Sequence, residues 1–111
     1  MPQEQSISIY FPIIKENNTT KISSDLILLS KEMPNNSSDY FSFNIKTFKF
    51  KKIDNLMWYL IDNNIHSLTP GTSNQKVIEN IGIALKKHDD PESNSDFELL
   101  TKPVEKRTLQ N

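Results

Sequence analysis

The sequence predicts an α+β domain in which a small antiparallel sheet of about three strands is covered by two helices. Two observations carry this prediction. In the first half of the chain, apolar and polar residues alternate with a period of two, which is typical of half-buried strands. In the second half, apolar residues recur at intervals of three and four, which is typical of amphipathic helices. A polar C-terminal tail is predicted to follow the second helix.

The first predicted strand covers residues 6–14, after a polar N-terminus at 1–5 that we expect to be loose. One face of this strand is apolar, with Ile7, Ile9, Phe11 and Ile13. Pro12 cannot donate a hydrogen bond to a neighbouring strand, so we expect it at a sheet edge or near the end of the strand. Such an edge could pair with a partner's strand or with a second copy of the chain. The polar residues 15–20 predict a turn.

The second predicted strand covers residues 25–32. Its short apolar run fits either a helix or a strand by periodicity alone. A strong turn sequence at 34–39 leads directly into the next aromatic segment, which favours a hairpin and therefore a strand.

The third predicted strand covers residues 40–50 and contains four phenylalanines, at positions 41, 43, 48 and 50. The alternation changes phase at Lys46–Thr47. One extra residue there, in a β-bulge, would return all four rings to the same face, so we predict one continuous, bulged strand.

The first predicted helix covers residues 54–64, with Asp54 as its N-cap and Asn63–Asn64 as its stop. Its apolar stripe consists of Ile53, Leu56, Met57, Leu60 and Ile61. Trp58 lies off this stripe. The helix is therefore either buried on two sides or presents an aromatic side chain to a partner.

The second predicted helix covers residues 72–88 and starts with a capping box at 72–75, after the connection at 65–71. Gly82 lowers the helix propensity, which indicates a close approach to another element. The tail at 89–111 is polar except for residues 97–100 (FELL). That segment could be an added edge strand, a docking segment on the domain's own core, or a short linear motif. We therefore expect residues 89–111 to be a flexible or docking tail, and residues 6–88 to form one domain.

Composition limits the classes of function. With 13 basic and 14 acidic residues the net charge is −1, which argues against a general polyanion binder. Twelve of the basic residues are Lys and only Arg107 is Arg, which indicates an AT-rich genome and weakens the meaning of lysine clusters. The N-terminus lacks the features of a signal peptide, and no apolar run is long enough to cross a bilayer. We expect a cytoplasmic protein, with a non-classical secretion route left open.

The residues that usually carry catalysis are few. There is no Cys, and the two His are His66 and His88. Asp62 and His66 are four residues apart, but two ligands do not make a site. Only two Gly are present, and neither belongs to a phosphate-binding motif. We expect no enzyme activity, no cofactor and no metal.

Nucleic-acid binding is the alternative function. Lysines and phenylalanines interleave over residues 41–52, and strands of this kind stack bases and neutralise phosphates in single-strand binders. The lysines concerned are Lys46, Lys49, Lys51 and Lys52. The competing interpretation is that the rings face the core and the lysines face water. The net charge and the scarcity of Arg favour this second interpretation.

A protein-binding module is therefore the favoured hypothesis. Trp and Tyr are frequent interface anchors, and apolar segments in polar tails dock on partners. The candidate contact residues are Trp58, Tyr59, Phe97, Leu99 and Leu100. We expect the protein to bind a larger protein as an inhibitor, an immunity-type factor or an adaptor, without nucleic acid or membrane.

Overall fold

The computed structural model describes residues 7–72 and 75–103. Over these residues the chain is an α+β domain with one antiparallel sheet of six strands and three helices. The strands are β1 (Ile7–Glu16), β2 (Thr19–Ile22), β3 (Leu26–Glu32), β4 (Ser38–Asn44), β5 (Lys49–Ile53) and β6 (Ile65–Pro70). The helices are α1 (Leu56–Asp62), α2 (Gln75–His88) and α3 (Pro91–Thr101). The fold class is confirmed, whereas the prediction of about three strands is wrong.

Strand β1 lies inside the sheet, so the prediction that residues 6–14 form an edge strand is wrong. The strand order is β2-β1-β3-β4-β5, and β6 also pairs with β1. Pro12 is nevertheless accommodated, because pairing with β3 stops at Tyr10 and pairing with β2 starts at Ile13. At this junction the Pro12 carbonyl accepts a hydrogen bond from the Ser23 N–H at 2.8 Å. The missing N–H therefore falls where β1 changes partners.

The segment 15–20, predicted to be a turn, is mostly strand. Only Asn17 and Asn18 turn, with φ angles of 51° and 65°. A type I′ hairpin turn, whose twist matches that of the flanking strands, requires a positive φ at both central residues. Asn tolerates that conformation. The hairpin continues as β2, so the sheet gains a strand that the polar composition concealed.

Residues 40–50 form two strands and not one bulged strand. The chain reverses between Asn44 and Lys49, and Phe43 pairs with Phe50 across the hairpin. The Phe48 N–H donates to the Asn44 carbonyl at 2.7 Å, and Phe48 has a φ of 56°. The phase change at Lys46–Thr47 was therefore the sign of a turn.

Of the two remaining strands, β3 was predicted and β6 was not. β3 confirms the preference for a strand over a helix at 25–32. β6 replaces the predicted connection at 65–71, and pairs with β1 across the bulge at Ile13 and Ile14.

The main core lies between one face of the sheet and the helices α2 and α3. Its buried members are Ile9, Leu29, Phe41, Phe43, Phe50, Ile81, Leu85 and Leu100. Neighbouring strand residues point to the opposite face, where Leu28 and Ser42 are also buried. Helix α1 lies on this second side, since the Tyr59 hydroxyl is close to Ser42. The sheet is thus covered on both sides.

Helix α3 shows that the segment FELL docks on the domain's own core, one of the three interpretations of the tail. Its Ser93 Oγ accepts the Phe50 N–H at 3.0 Å, and its Asp96 carboxylate accepts the Lys52 N–H at 3.1 Å. These two N–H groups belong to β5, which among the described strands pairs with β4 alone. Helix α3 therefore satisfies and covers a sheet edge that would otherwise be open to another strand.

The predicted close approach at Gly82 is confirmed. A Cβ atom placed on this glycine would lie 3.0 Å from Cε2 of Phe97. The absence of a side chain on α2 thus allows the Phe97 ring of α3 to reach the helix backbone. Three predictions fall wholly or partly outside the described residues: the loose N-terminus at 1–5, the capping box, which includes 73–74, and the tail, which includes 104–111.

Helix α3 begins at the N-cap Asp90, whose carboxylate accepts the Glu92 N–H at 3.2 Å. The same carboxylate accepts bonds from Lys49 Nζ at 2.7 Å and from Ser93 Oγ at 3.1 Å. These contacts lower the pKa of Asp90 below its usual 3.8, and the hydrogen bond from Lys49 is the largest cause. The N-cap therefore joins α3 to β5 through a charge.

We expect this charge to make folding acid-sensitive. Because the folded pKa of Asp90 is lowered, its contribution to stability is present above the usual Asp pKa and is lost as the pH falls through the folded value. Asp90→Asn keeps a good N-cap residue but removes the charge, so the variant should lose less stability on acidification than the wild type. Denaturant unfolding at neutral and acidic pH measures this. Asp89→Asn, an exposed neighbour, is the control and should follow the wild type.

Candidate protein-binding face

The candidate site is helix α1, which is short and capped at both ends by Asn. The Asn55 side chain accepts the Trp58 N–H at 3.1 Å, so the N-cap is Asn55 and not Asp54. At the other end Asn63 closes the helix, and Asn64 adopts a φ of 55°. The predicted stop at Asn63–Asn64 is confirmed. The two caps therefore define the ends of the helix between β5 and β6.

Helix α1 has two apolar faces. Leu56, Tyr59 and Leu60 are half-buried towards the sheet. The opposite side, called here the α1 outer face, consists of Met57, Trp58 and Ile61, which are 70%, 63% and 59% exposed. At 100° per residue these three side chains fall within one sector of the helix. The predicted single stripe is thus divided, because Met57 and Ile61 join Trp58 on the outside.

Tyr59 has a structural position, unlike its neighbour Trp58. Its side chain is half-buried, and its hydroxyl lies close to Ser42 of β4, which is 8% exposed. Burial raises the pKa of Tyr59 above its usual 10.0. Tyr59 therefore anchors α1 to the sheet and leaves Trp58 as the exposed aromatic side chain of this helix.

The C-terminal candidates lie elsewhere. Leu100 is fully buried, and the Phe97 ring packs edge-on against Phe50 at a centroid distance of 5.2 Å. Leu99 is 44% exposed. Helix α3 covers the sheet face opposite to that covered by α1, so these residues and Trp58 do not form one site.

The lysine and phenylalanine segment does not present its rings to solvent. Phe43 and Phe50 are 4% and 0% exposed, and Phe48 packs on His88 at 5.3 Å between centroids. Lys49 is paired with Asp90 at 2.7 Å.

The other lysines of that segment differ in exposure. Lys46 and Lys51 are exposed, and Lys52 is half-buried. In the structure the rings of this segment are therefore directed to the core and most of its lysines lie at the surface. A base-stacking platform requires exposed rings.

The structure separates the Asp–His pair that the sequence suggested, Asp62 and His66. Asp62 ends α1 while His66 lies in β6, so the pair does not share a helix face. Over residues 7–72 and 75–103, no three His, Asp or Glu side chains are grouped as metal ligands would be. Within the same ranges, each helix is too short or too polar to cross a bilayer.

Comparisons of the chain with protein-family models, with curated proteins and with solved structures found no match. The site must therefore be interpreted from its own chemistry.

Two acidic residues border the α1 outer face. Asp54 precedes the helix and Asp62 is its last residue, and both are exposed. Helix α1 itself contains no Lys or Arg. The outer face is therefore an apolar surface with a negative charge at each end.

Proposed function

We propose that the protein is a non-enzymatic module that binds a larger protein through the α1 outer face, and acts in the cytoplasm as an inhibitor, an immunity-type factor or an adaptor. The observation that carries this proposal is the exposure of Met57, Trp58 and Ile61 on a helix whose other face is packed on the sheet. Three large apolar side chains side by side on a surface are typical of interaction sites.

Two features of the α1 outer face support a binding role over a chance exposure. The caps and the half-buried Tyr59 order the helix before binding, so the backbone at Trp58 has little conformational freedom to lose. Trp is also the residue type most enriched among interface hot spots, and Met adapts well to irregular apolar surfaces. A helix face of this kind is suited to an apolar groove on a partner.

Charge indicates the kind of partner. Asp54 and Asp62 lie at the two ends of the outer face, and charges at an interface rim favour partners with the opposite charge. We therefore propose that the partner has an apolar cleft with basic residues at its rim. Because rim charges act mainly on the association rate, association should slow as the salt concentration rises.

Trp58→Ala is the principal test. We expect this variant to bind a purified partner about tenfold or more weakly, while its free energy of unfolding stays within about 0.5 kcal/mol of the wild type. Ile22→Ala is the matched control, because Ile22 is 58% exposed on β2, away from α1. The partner is first isolated from a native lysate with the tagged protein, and the affinities are then measured by calorimetry.

Two outcomes would contradict the proposal. Equal affinities of the wild type and Trp58→Ala would exclude the α1 outer face. A loss of about 3–5 kcal/mol in stability would make Trp58 a core residue.

Nucleic acid in the eluate, released by salt and lost in a Lys46→Glu and Lys51→Glu double variant, would point to the alternative function, single-stranded nucleic-acid binding. Lys49 is left intact in that variant because it holds the α3 N-cap.

A further inference from the structure

A second candidate site, which is concave, lies at the C-terminal end of α3, far in sequence from α1. It is a cavity of about 600 Å³ between this helix end and the strands β3, β4 and β5. Three lysines and several apolar side chains share its wall. We call it the lysine pocket and define it by Lys31, Lys52, Lys102, Met33, Leu99 and Pro103. Its volume is within the range of ordinary small-ligand sites.

Lys31 is the innermost charge of the pocket. The residue is 4% exposed, and its ammonium donates to the carbonyls of Leu99 at 2.8 Å and Lys102 at 2.6 Å. An ammonium carries three N–H donors. The described residues supply acceptors for two of them, and the Asp39 carboxylate attracts the same ammonium, so the third donor is the one that a ligand would take.

The pocket has an excess of positive charge. Lys52 Nζ and Lys102 Nζ make no hydrogen bond or ion pair with any residue in the described ranges, and one acidic residue, Asp39, lines the wall. Asp96 lies nearby on α3, where its carboxylate accepts the Lys52 backbone N–H. Two carbonyls at the end of α3, those of Leu99 and Lys102, accept from Lys31, which offsets part of the repulsion that a helix C-terminus exerts on an anion.

We propose that the lysine pocket binds a carboxylate carried on an apolar group. The anion would take the third Lys31 donor and the charges of Lys52 and Lys102, while the apolar group would contact Met33 and Leu99. A free aliphatic acid and the C-terminus of a peptide with an apolar last residue both have this chemistry. A bare inorganic anion would leave the apolar wall in contact with water.

The test is calorimetric titration of the full chain with octanoate and with an acetylated peptide that ends in a free leucine carboxylate. The same peptide with a C-terminal amide and inorganic phosphate are the matched probes. Saturable binding of octanoate identifies the free acid as a source, and saturable binding of the carboxylate peptide identifies the peptide C-terminus. The amide peptide and phosphate should bind more weakly than either.

Variants locate the binding. We expect Lys52→Ala and Lys102→Ala to weaken binding about threefold each, in line with exposed charge pairs. Asp39→Asn should strengthen it by a similar factor, because it removes the competing charge. Lys86→Ala, an exposed lysine on α2, is the control and should bind like the wild type.

The proposal is overturned if neither carboxylate probe binds, if the amide or phosphate binds equally well, or if the pocket variants match Lys86→Ala. None of these readouts depends on Trp58, so the lysine pocket and the α1 outer face are tested separately.

Discussion

Leu100→Ala is expected to lower the free energy of unfolding by about 2–5 kcal/mol, the range for removing a fully buried leucine side chain. Leu100 is 0% exposed and belongs to the core cluster with Phe41, Phe50 and Leu85. The substitution would leave a cavity where α3 meets the sheet. Denaturant unfolding followed by circular dichroism measures the loss.

The adjacent residue provides the matched control. Leu99 is 44% exposed, so Leu99→Ala should change stability by about 0.5–1 kcal/mol at most. A small effect of Leu100→Ala, equal to that of Leu99→Ala, would contradict the packing of α3 and return the segment to a tail. The pair thus separates a docked core helix from a partner-binding motif, with the same chemical change on neighbouring residues.

The elements with a regular apolar period were predictable from the sequence. The alternation at 6–14 and the apolar stripe of the helix predicted at 72–88 each produced an element of the expected type, β1 and α2. The strands β2 and β6 were not predictable. Among the described strands both pair with β1 alone, and neither has a buried residue: β2 is fully exposed, and β6 is half exposed without alternation. Their positions depend on hydrogen bonds to β1, which no local pattern records.

Helix α3 shows a second limit of local patterns. Its sequence, PESNSDFELLT, has only a few apolar residues, so its polar composition predicted a tail. The helix is fixed by contacts with distant parts of the chain: Ser93 and Asp96 bind β5, Phe97 fits against Gly82, and Leu100 completes the core. The close approach at Gly82 was foreseen from helix propensity. The ring that fills it, more than a dozen residues later, was not.

The candidate site was only partly predictable, for a geometrical reason. Trp58 stood out because it lies off the predicted stripe. The assignment of Met57 and Ile61 to the inner side was wrong, since a seven-residue helix with six apolar positions fits the sheet in more than one rotation. In the structure Tyr59 faces inward and lies close to Ser42 of β4. This contact joins elements that are distant in sequence, so periodicity does not reveal it.

Lys31→Met is expected to lower the free energy of unfolding by about 1–3 kcal/mol, because the carbonyls of Leu99 and Lys102 lose their donor while the aliphatic stem is kept. Burial, the largest cause, lowers the pKa of Lys31 below 10.5. Between the lowered folded pKa and 10.5 the unfolded chain binds more protons, so Lys31 adds stability as the pH rises, and the variant should lack this gain. The raised pKa of Tyr59 acts in the opposite direction above pH 10.0, but equally in both proteins.

Lys102→Met, at an exposed position beside the same helix end, is the control and should unfold like the wild type. Equal stability of Lys31→Met and the wild type at every pH would mean that burying the ammonium costs as much as its two hydrogen bonds contribute.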